Sequence, residues 1–249
     1  MYDLTGKVAL VTGSSMGLGK AFALDLARAG AAVVVNNRQG GELAEGVVSQ
    51  IKALGREALL APCDISDPDS VQEMVKVILS HFGKIDILVN NAGISIDGTT
   101  VKFDPAAWDR VLKTNIYGTF YCCKYCLPSM IEQKWGRIIN ISSVVGQIGV
   151  VGTPAYTASK AGVIGFTKTL AKEVARKGIT VNCLALGYFM GGGLMDTLPE
   201  KIAESILAAI PVGRWGKPEE ISSAINYLAS DAAAYITGQT ISINGGFNM

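Results

Sequence analysis

The sequence predicts a single α/β domain of the doubly wound kind, a seven-stranded parallel sheet flanked by helices over residues 1–249. Three observations carry that expectation. Short β-rich segments alternate with stretches of helical periodicity from one end of the chain to the other. Several of the β-rich segments are apolar on both faces, as strands are when helices cover both sides of a parallel sheet. The 249 residues, 49% of them hydrophobic and with 29 glycines, suit one large domain better than two small ones.

The strands are expected at KVALVT, AAVVVN, EALLAP, IDILVN, GRIINIS, ITVNCLA and TISING. Between them GLGKAFALDLARAG, GELAEGVVSQIKALG and DPDSVQEMVKVILSHFG repeat apolar residues at helical spacing, and longer helices follow Asp104 and Thr153. Right-handed crossovers then close the sheet, and ligands of such sheets lie beyond the carboxyl ends of the strands. No repeat, linker or low-complexity tract divides the chain.

Composition narrows the function. Lys and Arg total 22 against 21 Asp and Glu, so no basic excess points to nucleic acid or an anionic membrane. No window reaches the roughly 18 apolar residues of a membrane span, and the start lacks a signal-peptide layout, so a soluble cytoplasmic protein is expected. The five cysteines are an odd count with no export signal, which argues against a disulfide framework. Cys123 and Cys126 match C-x-x-C, but no second pair stands at zinc spacing and His81 is the only histidine; core packing is the expectation and no metal site is assigned.

Chemistry gathers at the strand ends. TGSSMGLG after the first strand places Gly13, Gly17 and Gly19 before an apolar helix, where small residues admit a pyrophosphate to a helix N-terminus. The second strand ends in NNRQ. Asn37 stands where an acidic residue would bind both ribose hydroxyls, and Arg38 follows, a pairing that favours a 2′-phosphate and hence NADP over NAD. Asp64 after the third strand is placed to accept from an adenine amino group, to cap the next helix, or both. NNAG after the fourth strand supplies the small residues Ala92 and Gly93, with Asn90 bracing the turn. Asn115 interrupts an apolar helix and predicts a local kink. Ser142 and Ser143 end the fifth strand, 13 residues before Tyr156. Tyr156 and Lys160 stand four apart in YTASK, on one face of a helix whose apolar stripe is Val163, Phe166, Leu170 and Val174.

Taken together, TGSSMGLG, NNAG, KTN, NISS and YTASK resemble the short-chain dehydrogenase/reductase family of the compact type, over essentially the whole chain. The resemblance implies a Rossmann-like sheet, a homotetramer, and a catalytic tetrad of Asn115, Ser143, Tyr156 and Lys160. It places the cofactor against Gly13, Ser15, Met16, Gly17, Leu18, Gly19, Asn37, Arg38, Asp64, Ile65, Asn91, Ala92, Gly93, Tyr156, Lys160, Gly187 and Phe189. Tyr156 would give a proton to the substrate oxygen as hydride reaches the carbonyl carbon. Lys160 at about 5 Å would favour the phenolate by roughly 3 kcal/mol at an effective dielectric near 20, while also bonding the nicotinamide ribose. Ser143 would hold the substrate oxygen and Asn115 would support a water-linked proton path.

Departures from the family pattern fall at two places. In LALGYFMGGGL, Leu186 replaces a proline and Gly191 stands where a threonine would hold the carboxamide, which leaves the backbone of Phe189. Gly191 to Gly193 are expected to form a mobile loop. Met16 replaces a basic residue common among NADP-using relatives. Resemblance is greatest to reductases of 3-oxoacyl thioesters on acyl carrier protein or coenzyme A, for which Lys134, Lys172, Arg176 and Lys177 would offer a basic rim. A dehydrogenase of cyclic, sugar or steroid alcohols and a nucleotide-sensing protein without turnover are the alternatives.

Overall fold

The computed structural model describes residues 2–191 and 199–249. Seven strands, β1 (Val8–Val11), β2 (Ala32–Val35), β3 (Ala58–Leu60), β4 (Ile87–Asn90), β5 (Gly136–Ser143), β6 (Ile179–Leu186) and β7 (Thr240–Ile243), form one sheet in the order β3-β2-β1-β4-β5-β6-β7. Every pairing is parallel. The order reverses between β1 and β4, and the crevice beyond their carboxyl ends is where such a sheet binds its ligands.

The helices are α1 (Gly17–Arg28), α2 (Glu42–Ala53), α3 (Pro68–Phe82), α4 (Pro105–Leu112), α5 (Gly118–Glu132), α6 (Val145–Ile148), α7 (Pro154–Val174), α8 (Glu200–Ala209) and α9 (Pro218–Ala229). One core layer joins Phe22 and Leu26 of α1, Val47 and Ile51 of α2, and Ile221, Ile225 and Leu228 of α9 to the sheet. The opposite layer is built from Val71 and Ile78 of α3, Cys122 and Met130 of α5, and Leu170 and Val174 of α7. This two-sided burial explains why β1, β4, β5 and β6 are buried at every position.

Three local expectations are refined. Asp67, not Asp64, caps α3: its carboxylate accepts from the N–H groups of Asp69 and Ser70, and Pro68 opens the helix. Asp64 instead turns its carboxylate to the N–H and hydroxyl of Ser66, at 3.0 and 2.7 Å. The helical stretch after Asp104 is broken by a π turn over Lys113–Tyr117, centred on Asn115, which is the expected kink in a form found often at functional sites. The cysteines are free and buried. Burial pushes the thiols of Cys63 and Cys123 up to about 12, which makes them small hydrophobes rather than ligands or nucleophiles. Among the described residues no group of three or more His, Cys, Asp or Glu side chains is placed to hold a metal, and no helix is long and apolar enough to cross a membrane.

Two turns lock together at the amino edge of β5 and β6. Gly178 has φ +76°, and a Cβ there would lie 2.2 Å from the Lys134 carbonyl oxygen. Lys134 itself has φ 55°. Both the left-handed backbone and the close approach require glycine. Gly178→Ala is therefore expected to lower stability by about 1–3 kcal/mol, read as a reduced urea midpoint. An unchanged midpoint would show that the two turns yield freely.

Candidate active site

The glycine-rich turn is shaped by packing, not only by flexibility. A Cβ on Gly13 (φ +64°) would lie 2.9 Å from the Ala92 Cα, and one on Gly19 would lie 2.2 Å from the Gly13 carbonyl oxygen. Thr12 ties β1 to β4, its hydroxyl accepting from the N–H groups of Asn91 and Ala92 at 3.0 and 3.1 Å. The Asn91 amide donates back to the carbonyls of Thr12 and Gly13. Asn91 thus braces this turn, whereas Asn90 points into the sheet toward Asn140. Asn36, which local sequence patterns did not single out, accepts from the Gly13 N–H and donates to the carbonyls of Ala61 and Cys63. Met16 precedes α1 in extended conformation with no side-chain cap, so the first N–H groups of α1, at Gly17, Leu18 and Gly19, face the groove as an anion site.

Beyond β2, both ends of the Asn37 amide are engaged with the backbone of Gly40, accepting at 2.7 Å and donating at 2.9 Å. Its side chain is consumed by the turn, which leaves the exposed Arg38 guanidinium as the charged group at this corner. Asp64 and Ile65 line the same groove beyond β3, and Ile65 packs against Gly118 at the start of α5. Met16, half exposed or more, lines it with Ser15 but offers no charge.

Ser143 at the end of β5 and Tyr156 and Lys160 on α7 converge on this groove of about 1260 Å³. Lys160 is buried, and its ammonium donates to the Ile141 carbonyl at 2.8 Å. The Lys160 Nζ lies 5.6 Å from the centre of the Tyr156 ring. A Cβ on Gly93 would be 3.4 Å from that ammonium, so the NNAG turn leaves room for it. Burial lowers the Lys160 pKa to about 8. Burial also raises the Tyr156 phenol above its ordinary value, with the Ser143 hydroxyl pulling it down. In the protein without nucleotide, desolvation is the largest influence on this phenol, and it acts against ionisation.

Asn115, also buried, spends its side chain on the loop after β4. It accepts from the Ile94 N–H at 2.8 Å and donates to the Ile94 carbonyl and the Ser159 hydroxyl at 2.9 and 3.0 Å. No hydrogen bond joins it to Lys160 among the described residues, although both side chains border Gly93.

The wall beyond β6 is set by a bridge between Phe189 and Gly216. The Gly216 N–H donates to the Tyr188 carbonyl and the Met190 N–H donates to the Gly216 carbonyl, both at 3.0 Å. In a parallel bridge of this form the N–H and C=O of Phe189 itself point away from Gly216, which frees them for a carboxamide. Gly187 is required by close approach, since a Cβ would lie 2.7 Å from the Asn244 Cα. The Gly191 carbonyl closes over the glycine-rich turn at Gly17; Gly192 and Gly193 lie outside the described residues. Tyr188 stacks edge-on against Phe247 and Trp215, with centroids 5.2 and 6.2 Å apart. No periodic signal in the sequence groups these three rings.

The expected basic rim does not form within one chain. Lys134, Arg176 and Lys177 adjoin Gly178 at the amino edge of β5 and β6, and Lys172 sits in the last turn of α7. Eight residues of strand, about 25 Å, separate that edge from Ser143.

The family model described as enoyl-(acyl carrier protein) reductase matches residues 13–248. The chain belongs to the short-chain dehydrogenase/reductase family. It is 47% identical to the 3-oxoacyl-[acyl-carrier-protein] reductase of Synechocystis sp. over 250 residues, covering 100% of both chains. It is 45% identical to the 3-oxoacyl-[acyl-carrier-protein] reductase FabG of Staphylococcus aureus over 243 residues, 98% of each. Its backbone superposes with TM-score 0.93 on a putative short-chain alcohol dehydrogenase from Sinorhizobium meliloti, at 37% identity and covering 98% and 97% of the two chains.

For a member of this family the low Lys160 pKa sets a pH limit. Its folded value, about 8, lies below the ordinary 10.5. The buried charge therefore costs stability below pH 8, and that cost fades as pH rises toward the ordinary value. The ammonium is lost over the same rise. Carbonyl reduction is expected to hold steady below pH 7 and to decline through about pH 8, in a profile of kcat/KM against pH. A flat profile to pH 10 would contradict the assignment.

Proposed function

We propose that this protein reduces a 3-oxoacyl thioester to the 3-hydroxyacyl thioester with NADPH. The observation that carries the reading is the convergence of Ser143, Tyr156 and Lys160 on the groove that begins at the glycine-rich turn. Two hydroxyls aimed at one place suit an oxygen that gains charge and then a proton, which is what a reduced carbonyl presents and a carbon–carbon double bond does not. The relatives named as 3-oxoacyl-[acyl-carrier-protein] reductases, at 45–47% identity, support the same substrate class.

The residues present fit a nicotinamide dinucleotide. The pyrophosphate would meet the uncapped N–H groups of α1, the adenine would lie by Asp64 and Ile65, and the carboxamide would take the free backbone of Phe189. Arg38 would pair with a 2′-phosphate, since Asn37 is already occupied and no carboxylate stands there to repel it. The bound cofactor supplies the hydride. Ser143 would hold the substrate oxygen, Tyr156 would give it the proton, and Lys160 would hold the nicotinamide ribose and favour the phenolate left behind. Asn115 fixes the loop at Ile94 beside them and supports reprotonation through water. An acyl carrier protein as donor of the acyl chain, a homotetramer and a cytoplasmic setting complete the reading. Because Lys134, Lys172, Arg176 and Lys177 lie far from their own groove, they would meet a carrier only where a neighbouring copy's groove comes near.

Reduction of acetoacetyl-CoA, followed by nicotinamide absorbance, tests the reading. Turnover with NADPH is expected to exceed turnover with NADH. Tyr156→Phe is expected to cut kcat by roughly 10²–10⁴ with cofactor affinity nearly intact. Arg38→Ala should weaken NADPH binding by about tenfold or more and leave NADH binding almost unchanged. Comparable activity in the phenylalanine variant, or equal losses for both cofactors, would remove the corresponding assignment.

A further inference from the structure

The sheet face under α7 changes character in rows. Leu88, Ile138 and Val181 pair across β4, β5 and β6 and form an apolar row. Two residues nearer the site, Asn90, Asn140 and Cys183 pair across the same strands and form a polar one. All three are buried. Ser142 stands one step further on, its hydroxyl donating to the Lys160 carbonyl at 2.8 Å.

The buried stripe of α7 mirrors these rows. Leu170 joins the apolar layer with Ile138 and Val181. One turn nearer the site, the Thr167 hydroxyl accepts from the Asn140 amide at 2.9 Å and donates to the Val163 carbonyl at 2.8 Å. Asn140 in turn accepts from Asn90 at 2.8 Å, and the Cys183 thiol lies beside the Thr167 and Ser142 hydroxyls. The donors run in one direction, Asn90 to Asn140 to Thr167 to Val163, so each bond polarises the next. Among the described residues, the Asn90 side-chain amide oxygen is the one polar atom of this row left without a partner.

Apolar contacts alone would let a helix slide along a sheet at small cost. A slide of one turn, about 5.4 Å, would set Thr167 over Ile138 and leave the Asn140 amide buried and unpaired, which is costly in a dry interior. Buried polar pairs are best attested as devices that fix register. We propose that Thr167, through Asn140, is a positioning residue that pins the axial register of α7, and so fixes where Lys160 and Tyr156 stand relative to Ser143. The inference rests on the reading of Tyr156 and Lys160 given above.

Thr167→Val keeps the shape and removes the hydroxyl. It is expected to lower kcat for acetoacetyl-CoA on the order of tenfold, since small misplacements of catalytic groups are amplified in rate, and to move the descending limb of the pH profile by about half a unit or more. Thr167→Ser should restore both. Leu170→Ala, in the apolar row, should lower Tm at least as much while holding kcat within about twofold. If the valine chain does not accumulate, Thr167→Ala removes the same oxygen and takes its place. A variant lacking the hydroxyl with wild-type kcat and pH profile, or a serine that restores neither, would overturn the pin. A wild-type chain that reduces no carbonyl substrate would instead overturn the functional reading.

Discussion

The ammonium of Lys160 resting on the Ile141 carbonyl is the interaction around which the site is arranged. A buried cation needs partners, and the fold supplies them from several directions. β5 offers a carbonyl, Ser142 holds the helix at the lysine's own backbone, and the small NNAG turn leaves space above. Close packing completes the placement. A Cβ on Gly146 of α6 would lie 2.7 Å from the Lys160 backbone, so α6 and α7 touch at that residue. Desolvation strengthens whatever electrostatic work the ammonium does, and it also brings the lysine near to losing its proton in mildly basic solution.

The nucleotide end follows a different logic. There the protein presents backbone rather than charge. Glycines 13 and 19 admit close approach, Thr12, Asn36 and Asn91 hold the turn from below, and α1 turns unpaired N–H groups outward. Arg38 beyond β2 and Asp64 beyond β3 are charged side chains lining that end. On the proposed function, selectivity between nucleotides would rest on Arg38, while affinity would rest on the backbone scaffold.

Much of this was legible in the sequence. Five of the seven strands fall within the segments read from apolar patterning, and β5 and β6 run one residue past theirs, because two-sided burial writes itself into each strand. Tyr156, Lys160 and Ser143 were readable as a group because the helix period and the loop length bring them together. Other features were hidden for a common reason: they depend on pairing between distant segments. Asn90 and Asn91 are neighbours in sequence, yet one points to Asn140 and the other to the glycine turn. Asp64 looked like a cap, and only the actual start of α3 gives that role to Asp67. The basic residues gathered in sequence after Leu170 fall at the wrong end of α7, since a helix that begins at the site ends far from it. The ring cluster of Tyr188, Trp215 and Phe247 joins three separate loops and leaves no periodic trace.

The phenol of Tyr156 is reluctant to ionise by itself, because burial raises it more than the Ser143 hydroxyl lowers it. On the proposed function, the positive charge of an oxidised nicotinamide would join Lys160 in bringing the phenol into a useful range. Titration of the chain with ¹³Cζ-labelled tyrosine, followed by NMR with and without NADP⁺ and assigned with Tyr156→Phe, tests this most directly. The expected result is a Tyr156 pKa above the ordinary phenol value in the protein alone, falling clearly below it with NADP⁺ bound. A pKa already below the ordinary value in the protein alone, or one that NADP⁺ does not move, would contradict the account.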